Sequence, residues 1–115
     1  MGFAAVEFVE TSGFTRLVQW YALEDGLAAL EQTLRENPTS GALDAGTNGL
    51  RKVRLADPGT GRGKRSGFRV HYLWIPRLRR IYLVHLFAKN DRDSLSPAVK
   101  ERLRRTVMQI RAELE

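Results

Sequence analysis

The residues with the clearest chemical potential lie between positions 50 and 72, where basic side chains recur at strand spacing. In LRKVRL, Lys52 and Arg54 alternate with apolar residues, and in FRVHY, Arg69 and His71 do the same. Because side chains of a β-strand point alternately to its two faces, this spacing predicts two strands with polar side chains on one face. The glycines and proline of the intervening DPGTGRGKRSG predict a hairpin connection, and therefore antiparallel pairing.

A cationic strand face without a plain general base favours chemistry on a phosphodiester. Fixed Arg and Lys groups stabilise the negative charge that builds on phosphate oxygens during transfer, and loss of one such group typically costs about 10²–10³ in rate. RNA carries its own nucleophile, the 2′-hydroxyl, which DNA lacks. The pattern therefore predicts RNA cleavage in which Arg54 and Arg69 stabilise the phosphorane. Lys52 would assist proton transfer, as a lysine does when neighbouring cations lower its pKa.

The charges are segregated along the chain. The 115 residues carry a net charge of +6, but residues 1–48 hold seven acidic and two basic side chains, whereas residues 50–80 hold ten basic and one acidic. Such segregation points to a polyanionic partner such as nucleic acid. On charge alone, a solvated face and a site for an acidic protein stay open as alternatives.

Several other functional classes find little support in the sequence. The absence of cysteine excludes disulfides and thiol catalysis, and suits a reducing cytosol. No apolar run approaches the roughly 20 residues of a membrane span, and the N-terminus does not resemble a secretory signal, so a cytoplasmic location is predicted. A P-loop is rejected because Pro58 stands where its first glycine is required. No metal or other cofactor is expected, because His71 and His85 lie on different predicted strands without clustered carboxylates.

The other elements are predicted to support the two basic strands within one domain over residues 1–115. The predicted fold is α+β, with a small, mostly antiparallel sheet of about four strands, two N-terminal helices and a C-terminal helix, in the order β-α-α-β-β-β-α. The helices are expected on one face of the sheet, leaving the basic face open. The remaining predicted elements are a strand over 3–10, a helix capped by Thr11 or Ser12, a helix from Glu24 or Asp25 to Asn37, a glycine-rich loop over 39–49, a strand over 81–88 covered on both sides, and a helix from Ser96 to about Leu114.

From Gly49 to Ser96 the sequence resembles the RelE/ParE superfamily of bacterial type II toxins, and most closely its HigB branch. The resemblance rests on the segments GLRKVR, GRGKRSGFRVHY, FAKND and DSLS, and the element order extends it over nearly the whole chain. It implies a RelE-like fold and a ribosome-dependent, metal-independent mRNA endonuclease (an mRNA interferase) that inhibits translation on the 70S ribosome. It also implies a cognate antitoxin, expected to be a helix-turn-helix protein, that holds the toxin inactive in a hetero-oligomer.

The resemblance also assigns roles by position. Lys52 and Arg54 match the basic catalytic strand, Arg69 matches the phosphate-binding arginine, and Lys89 lies where the family keeps further basic residues. The loop cations Arg62, Lys64 and Arg65 are expected to bind ribosomal RNA rather than to catalyse, because a flexible loop positions a side chain poorly. Two strand residues, Arg51 and His71, are also expected to bind RNA.

The sequence departs from the family pattern at two positions. Well-studied members have an arginine just after the strand-end lysine, where this chain has Asn90, and a tyrosine at the start of the last helix, where it has Ser96. The base-stacking and acid roles are therefore unassigned, and His71, Tyr72 or His85 could substitute.

Three alternative functions stay open. A ParE-like toxin would inhibit DNA gyrase as a protein ligand and would need no catalytic cations. An inactive, phage-derived or remnant protein of the same fold is the second, and Asn90 and Ser96 give it some support. A plain nucleic-acid-binding module, the third, would bind RNA with steep salt dependence and never cut it.

Overall fold

Three helices and one five-stranded sheet are formed by the residues that the computed structural model describes, namely 5–55, 67–88 and 95–114. The α+β class and the three predicted helices are thereby confirmed. A 3₁₀ turn at Pro76–Leu78 links the two longest strands. In chain order the helices and strands are β1 (Glu7–Glu10), α1 (Ser12–Tyr21), α2 (Glu24–Glu36), β2 (Ala42–Leu43), β3 (Arg51–Leu55), β4 (Phe68–Ile75), β5 (Arg80–Ala88) and α3 (Pro97–Glu113).

The sheet has the strand order β1-β5-β4-β3-β2 and is mixed. β1 runs parallel to β5, whereas the other three neighbouring pairs are antiparallel. The prediction of about four strands in the order β-α-α-β-β-β-α is wrong, because the glycine-rich segment 39–49 contributes β2, which pairs with Arg51 and Lys52. A strand of two residues has no hydrophobic alternation by which the sequence could reveal it.

The helix ends follow the local signals in the sequence. The Thr11 hydroxyl accepts a hydrogen bond from the Phe14 amide at 3.2 Å and caps α1. The Ser96 hydroxyl caps α3 in the same way, accepting from the Val99 amide at 3.3 Å, with Pro97 in the first turn. α2 ends immediately before the Asn-Pro pair. Each hydroxyl cap satisfies a backbone donor that the helix itself leaves unpaired, so these boundaries are local properties of the sequence. β1 begins at Glu7, and the predicted strand start at residue 3 lies outside the described residues.

The first core cluster lies between the N-terminal helices and one face of the sheet. From the sheet it takes Val70 and Tyr72 of β4, among other residues. Burial of these side chains fixes the orientation of β3 and β4, because a one-residue slip would turn every apolar side chain to the other face. The members of this cluster from α1, α2 and the turn between them are Phe14, Val18, Leu23, Leu27, Leu30 and Leu34.

The second core cluster lies on the opposite face of the sheet, against α3. Leu73 and Ile75 alternate with the β4 residues of the first cluster and pack with Leu103 and Val107 of α3. The prediction that all helices pack on one face is therefore wrong. β5 is apolar on both faces, so both faces need a cover, and the prediction that this strand is covered on both sides is confirmed.

A one-residue irregularity in β5 adjusts the direction of its side chains. Tyr72 pairs with Leu83 and His71 pairs with His85, so Val84 lies between them without a counterpart on β4. Val84 packs in the second core cluster, while the next residue, His85, lies beside His71. Such bulges redirect side chains, and this one places Val84 and His85 on the same side of the sheet.

None of the helices in the described ranges combines the length and the apolar composition needed to cross a bilayer.

Candidate nucleic-acid interface

Three cations lie together on the α3-bearing face of the sheet: Lys52 and Arg54 of β3 and Arg69 of β4, here called the cationic cluster. Arg54 pairs directly with Arg69, and Lys52 pairs with His71. The apolar residues that alternate with them pack in the first core cluster, so the cations point to the other face. The structure therefore brings three of the four predicted catalytic side chains together, as the strand spacing predicts.

The members of the cationic cluster differ in exposure. Arg54 is exposed, Lys52 is half-buried, and Arg69 is only 6% exposed. Like charges directly opposite each other on antiparallel strands destabilise the pairing. A sheet that places Arg54 against Arg69 departs from the arrangement that local pairing alone favours, and such departures are common at functional sites.

Behind Lys52, a buried histidine is held by a carboxylate from the loop after β2. His71 Nε2 lies 2.8 Å from Asp44 Oδ2, and Lys100 Nζ lies 3.6 Å from Asp44 Oδ1. Burial lowers the pKa of His71 below its ordinary value, against the opposing effect of its hydrogen bond with Asp44. Burial also raises the pKa of Asp44, but the hydrogen bond with His71 and the charge of Lys100 outweigh it and leave that pKa below its ordinary value. The pair is therefore a neutral imidazole that donates its Nε2–H to a carboxylate.

The His71 ring is fully buried, and among the described residues its Nδ1 has no hydrogen-bond partner. A ring with no exposed surface does not meet RNA in this structure. We therefore reassign His71 from the predicted RNA-binding set to the support of the sheet face behind the cationic cluster.

An aromatic row continues from His71 to β5. The ring centroids of His71 and Phe87 lie 5.8 Å apart, and those of His85 and Phe87 lie 6.1 Å apart, both nearly parallel. Burial lowers the pKa of His85 to about 4, and its neighbours His71 and Arg102 add to this effect. His85 is therefore neutral at pH 7, and its half-buried ring lies at the margin of the cationic cluster.

Two of the sequence candidates lie on the other face of the sheet. The Tyr72 hydroxyl is buried in the first core cluster, where it donates to the Pro38 carbonyl at 2.7 Å and accepts from the Gly41 amide at 3.0 Å. Arg51 pairs with Tyr72 in register and donates to the Gly41 carbonyl at 2.7 Å. Both residues hold the segment between α2 and β2. Tyr72 is therefore on the opposite face from the cationic cluster, and Arg51 does not join that cluster although the sequence predicts it among the RNA-binding residues.

Of the three residues that could replace the missing family groups, only His85 is both partly exposed and on the face of the cationic cluster. Ser96, at the second departure from the family pattern, is the cap of α3. The remaining predicted residues of the site lie outside the described residues. These are the catalytic candidate Lys89, the RNA-binding candidates Arg62, Lys64 and Arg65, and the departure at Asn90.

A groove that sequence reasoning missed lies between α1 and α3, beside β5, and is called here the α1–α3 groove. Its volume is about 650 Å³, and its basic and aromatic lining residues are Arg16, Trp20, His85 and Arg102. Trp20 is 81% exposed. The one signal in the sequence is that Trp20 falls outside the apolar stripe of α1, on the side where a solvated helix carries polar residues.

In the described part of the chain, no group of three or more histidine and carboxylate side chains is placed to hold a metal ion. A scan against models of known protein families finds none that matches this chain. The arguments for function therefore come from the geometry of the cationic cluster and its surroundings.

Proposed function

We propose that this protein is a bacterial type II toxin of the RelE/ParE superfamily, HigB-like branch, that cleaves mRNA on the ribosome. The observation that carries the proposal is the placement of Lys52, Arg54 and Arg69 on one sheet face, with Arg54 directly opposite Arg69. A cluster of fixed cations is suited to a substrate whose transition state gathers negative charge. The proposed setting is the cytoplasm, with a helix-turn-helix antitoxin as the inhibitory partner.

In the proposed reaction, the RNA 2′-oxygen attacks the adjacent phosphorus. The bond from the 2′-oxygen to phosphorus forms, the bond from phosphorus to the 5′-oxygen breaks, and a 2′,3′-cyclic phosphate and a 5′-hydroxyl result. Arg54 and Arg69 stabilise the negative charge of the phosphorane, and Lys89, outside the described residues, keeps a supporting role. No metal ion enters this scheme.

The scheme needs one group to take the 2′-hydroxyl proton and another to supply a proton to the 5′-oxygen. Lys52 on β3 and His85 on β5 each pair with His71 on β4, which lies between them. The β3 and β5 backbones are therefore two strand spacings apart, or about 9–10 Å. A phosphodiester with one hydrogen-bonding group at each reacting oxygen spans a similar length. Lys52 and His85 are thus placed to contact the two reacting oxygens, and Lys52 assists the proton transfer.

The proposal is tested by expressing the wild type and the variants Arg69→Ala and Arg54→Ala in bacteria, with growth and mRNA ends as readouts. We expect growth arrest and new mRNA ends with the wild type, and a loss of about 10²-fold or more in cleavage with either variant. Arg105→Ala is the matched control, because it removes an arginine that is 75% exposed on α3 and that bonds only to Glu101 among the described residues. Thermal unfolding of each purified variant shows whether it folds.

Equal mRNA cleavage by folded Arg69→Ala and by the wild type would contradict the assignment. Growth arrest without new mRNA ends would favour the gyrase-inhibitor alternative, and RNA binding without cleavage would favour the binding module. Neither arrest nor binding would favour a remnant of the same fold.

A further inference from the structure

The α1–α3 groove combines an open aromatic face with positive charge. Trp20 of α1 lies on one wall with most of its side chain exposed, and Arg102 of α3 lies on the other. Arg16 lies one helical turn before Trp20 and lines the same groove. Trp20 therefore offers an open ring face to a ligand that enters the groove.

The charge of the groove is of one sign. None of its described lining residues is acidic, although the N-terminal half of the chain, from which α1 comes, is acidic in total. Low-dielectric walls lined by one sign of charge concentrate ligands of the opposite sign. An aromatic platform between two arginines therefore suits a ligand that has both a flat ring and an anionic group.

The groove is continuous with the cationic cluster through His85. This side chain lines the groove and also belongs to the aromatic row, with its ring centroid 6.4 Å from that of His71. His71 in turn pairs with Lys52 across β3 and β4. The groove at His85 therefore lies two strand spacings, about 9–10 Å, from Lys52, a distance that one RNA strand can span.

We propose that the α1–α3 groove binds an unpaired nucleotide of the same RNA strand that crosses the cationic cluster. The base stacks on the Trp20 indole, and Arg16 and Arg102 contact the flanking phosphates. Stacking platforms combined with a positively charged track are how proteins hold single-stranded nucleic acid without reading its sequence. The inference rests on the proposed function, because the continuity of the surface matters only if RNA occupies the cationic cluster.

The test uses Trp20 as its own reporter. In the variant Trp74→Phe, Trp20 is the only tryptophan of the chain. A short single-stranded RNA is titrated into this protein, and we expect quenching of the Trp20 fluorescence with the same dissociation constant that an independent anisotropy titration gives. In otherwise wild-type protein, Trp20→Ala is expected to weaken binding by about 10-fold or more, and Trp20→Phe, which keeps a ring, by less.

Two further ligands test whether the groove binds an unpaired base or only negative charge. Duplex RNA of the same sequence has no unpaired base and is expected to bind without quenching Trp20. Poly-glutamate carries the charge without the bases and is expected to leave the Trp20 fluorescence unchanged. Because Trp20 is exposed, Trp20→Ala should unfold at the wild-type temperature, so weaker binding cannot come from misfolding.

Unchanged single-stranded RNA affinity in Trp20→Ala would overturn the inference, as would equal quenching by duplex RNA or by poly-glutamate. The last result would instead indicate that an acidic protein segment docks in the groove.

Cleavage in cells is measured separately with Arg69→Ala. Loss of mRNA cleavage in Arg69→Ala together with normal RNA affinity in Trp20→Ala refutes the groove and leaves the proposed function standing. Quenching by RNA without any cleavage by the wild type refutes the nuclease and leaves the groove as an RNA site.

Discussion

Arg54 of β3 and Arg69 of β4 stand directly opposite each other, with both side chains on the α3-bearing face of the sheet. Such a like-charge pair costs folding free energy, of the order of a few tenths of a kcal/mol to 1 kcal/mol. Since Arg54 is exposed, its alkyl chain contributes little compensating burial. Under the proposed function, the phosphate of a bound RNA would offset this repulsion.

Removing one charge of this pair should separate stability from binding. We expect Arg54→Gln to leave the free energy of unfolding unchanged or to raise it by up to about 0.5 kcal/mol. The same change should weaken RNA binding and reduce the slope of log affinity against log salt by about 1. Urea unfolding and RNA titrations at several salt concentrations measure the two effects. A loss of stability above about 1 kcal/mol would mean that Arg54 has a structural role instead.

The carboxylate behind the cationic cluster should matter for stability. Asp44→Ala leaves the buried Nε2–H of His71 without its acceptor, so we expect the free energy of unfolding to fall by about 1–3 kcal/mol. Asp44→Asn keeps an acceptor oxygen and should lose less. Glu101→Ala removes a carboxylate from an exposed cluster on α3 and serves as the matched control, with a much smaller expected change. If Asp44→Ala and Glu101→Ala lose equally little in urea unfolding, the His71–Asp44 bond is not a structural support.

The depressed pKa of His85 should appear in the pH dependence of stability. The pKa is about 4 in the folded protein and 6.5 in its ordinary, unfolded state. Between these values the unfolded chain binds the proton and the folded chain does not, so stability falls as pH drops from about 6.5 to about 4. His85→Gln should remove about 1–2 kcal/mol of this fall, less than full burial would give because the ring is partly exposed. Parallel pH profiles for wild type and variant, measured by urea unfolding, would contradict the assignment.

Tyr72 tests whether the sheet face opposite the cationic cluster takes part in the proposed reaction. Tyr72→Phe removes a hydroxyl that bonds to Pro38 and Gly41, so we expect a loss of about 1–2 kcal/mol in the free energy of unfolding. Because the hydroxyl lies in the first core cluster, RNA binding and mRNA cleavage by the folded variant should equal those of the wild type. A specific loss of cleavage at temperatures where the variant is folded would show that Tyr72 does act in the reaction.

The strand faces and the helix starts could be predicted from neighbouring residues in the sequence. The alternation in LRKVRL and FRVHY predicted which side chains of β3 and β4 share a face, because the period of a strand depends only on the backbone. Thr11 and Ser96 predicted the starts of α1 and α3, because a cap bonds to an amide three residues away. The polyanionic partner that the segregation of charge indicates stays a prediction.

Other features depend on contacts between residues distant in the chain, and only the tertiary structure decided them. Asp44 contacts His71, which is 27 positions away in the sequence. The two-residue strand β2 forms only by pairing with β3. The apolar run of β5 has no alternation, so only its pairing with β4, including the bulge at Val84, sets the direction of His85. The groove at Trp20 needs α3 on the face opposite α2, which no single segment specifies. Helix starts and strand faces are thus determined by neighbouring residues. The site depends instead on which surfaces pack together, and that packing is a property of the whole chain.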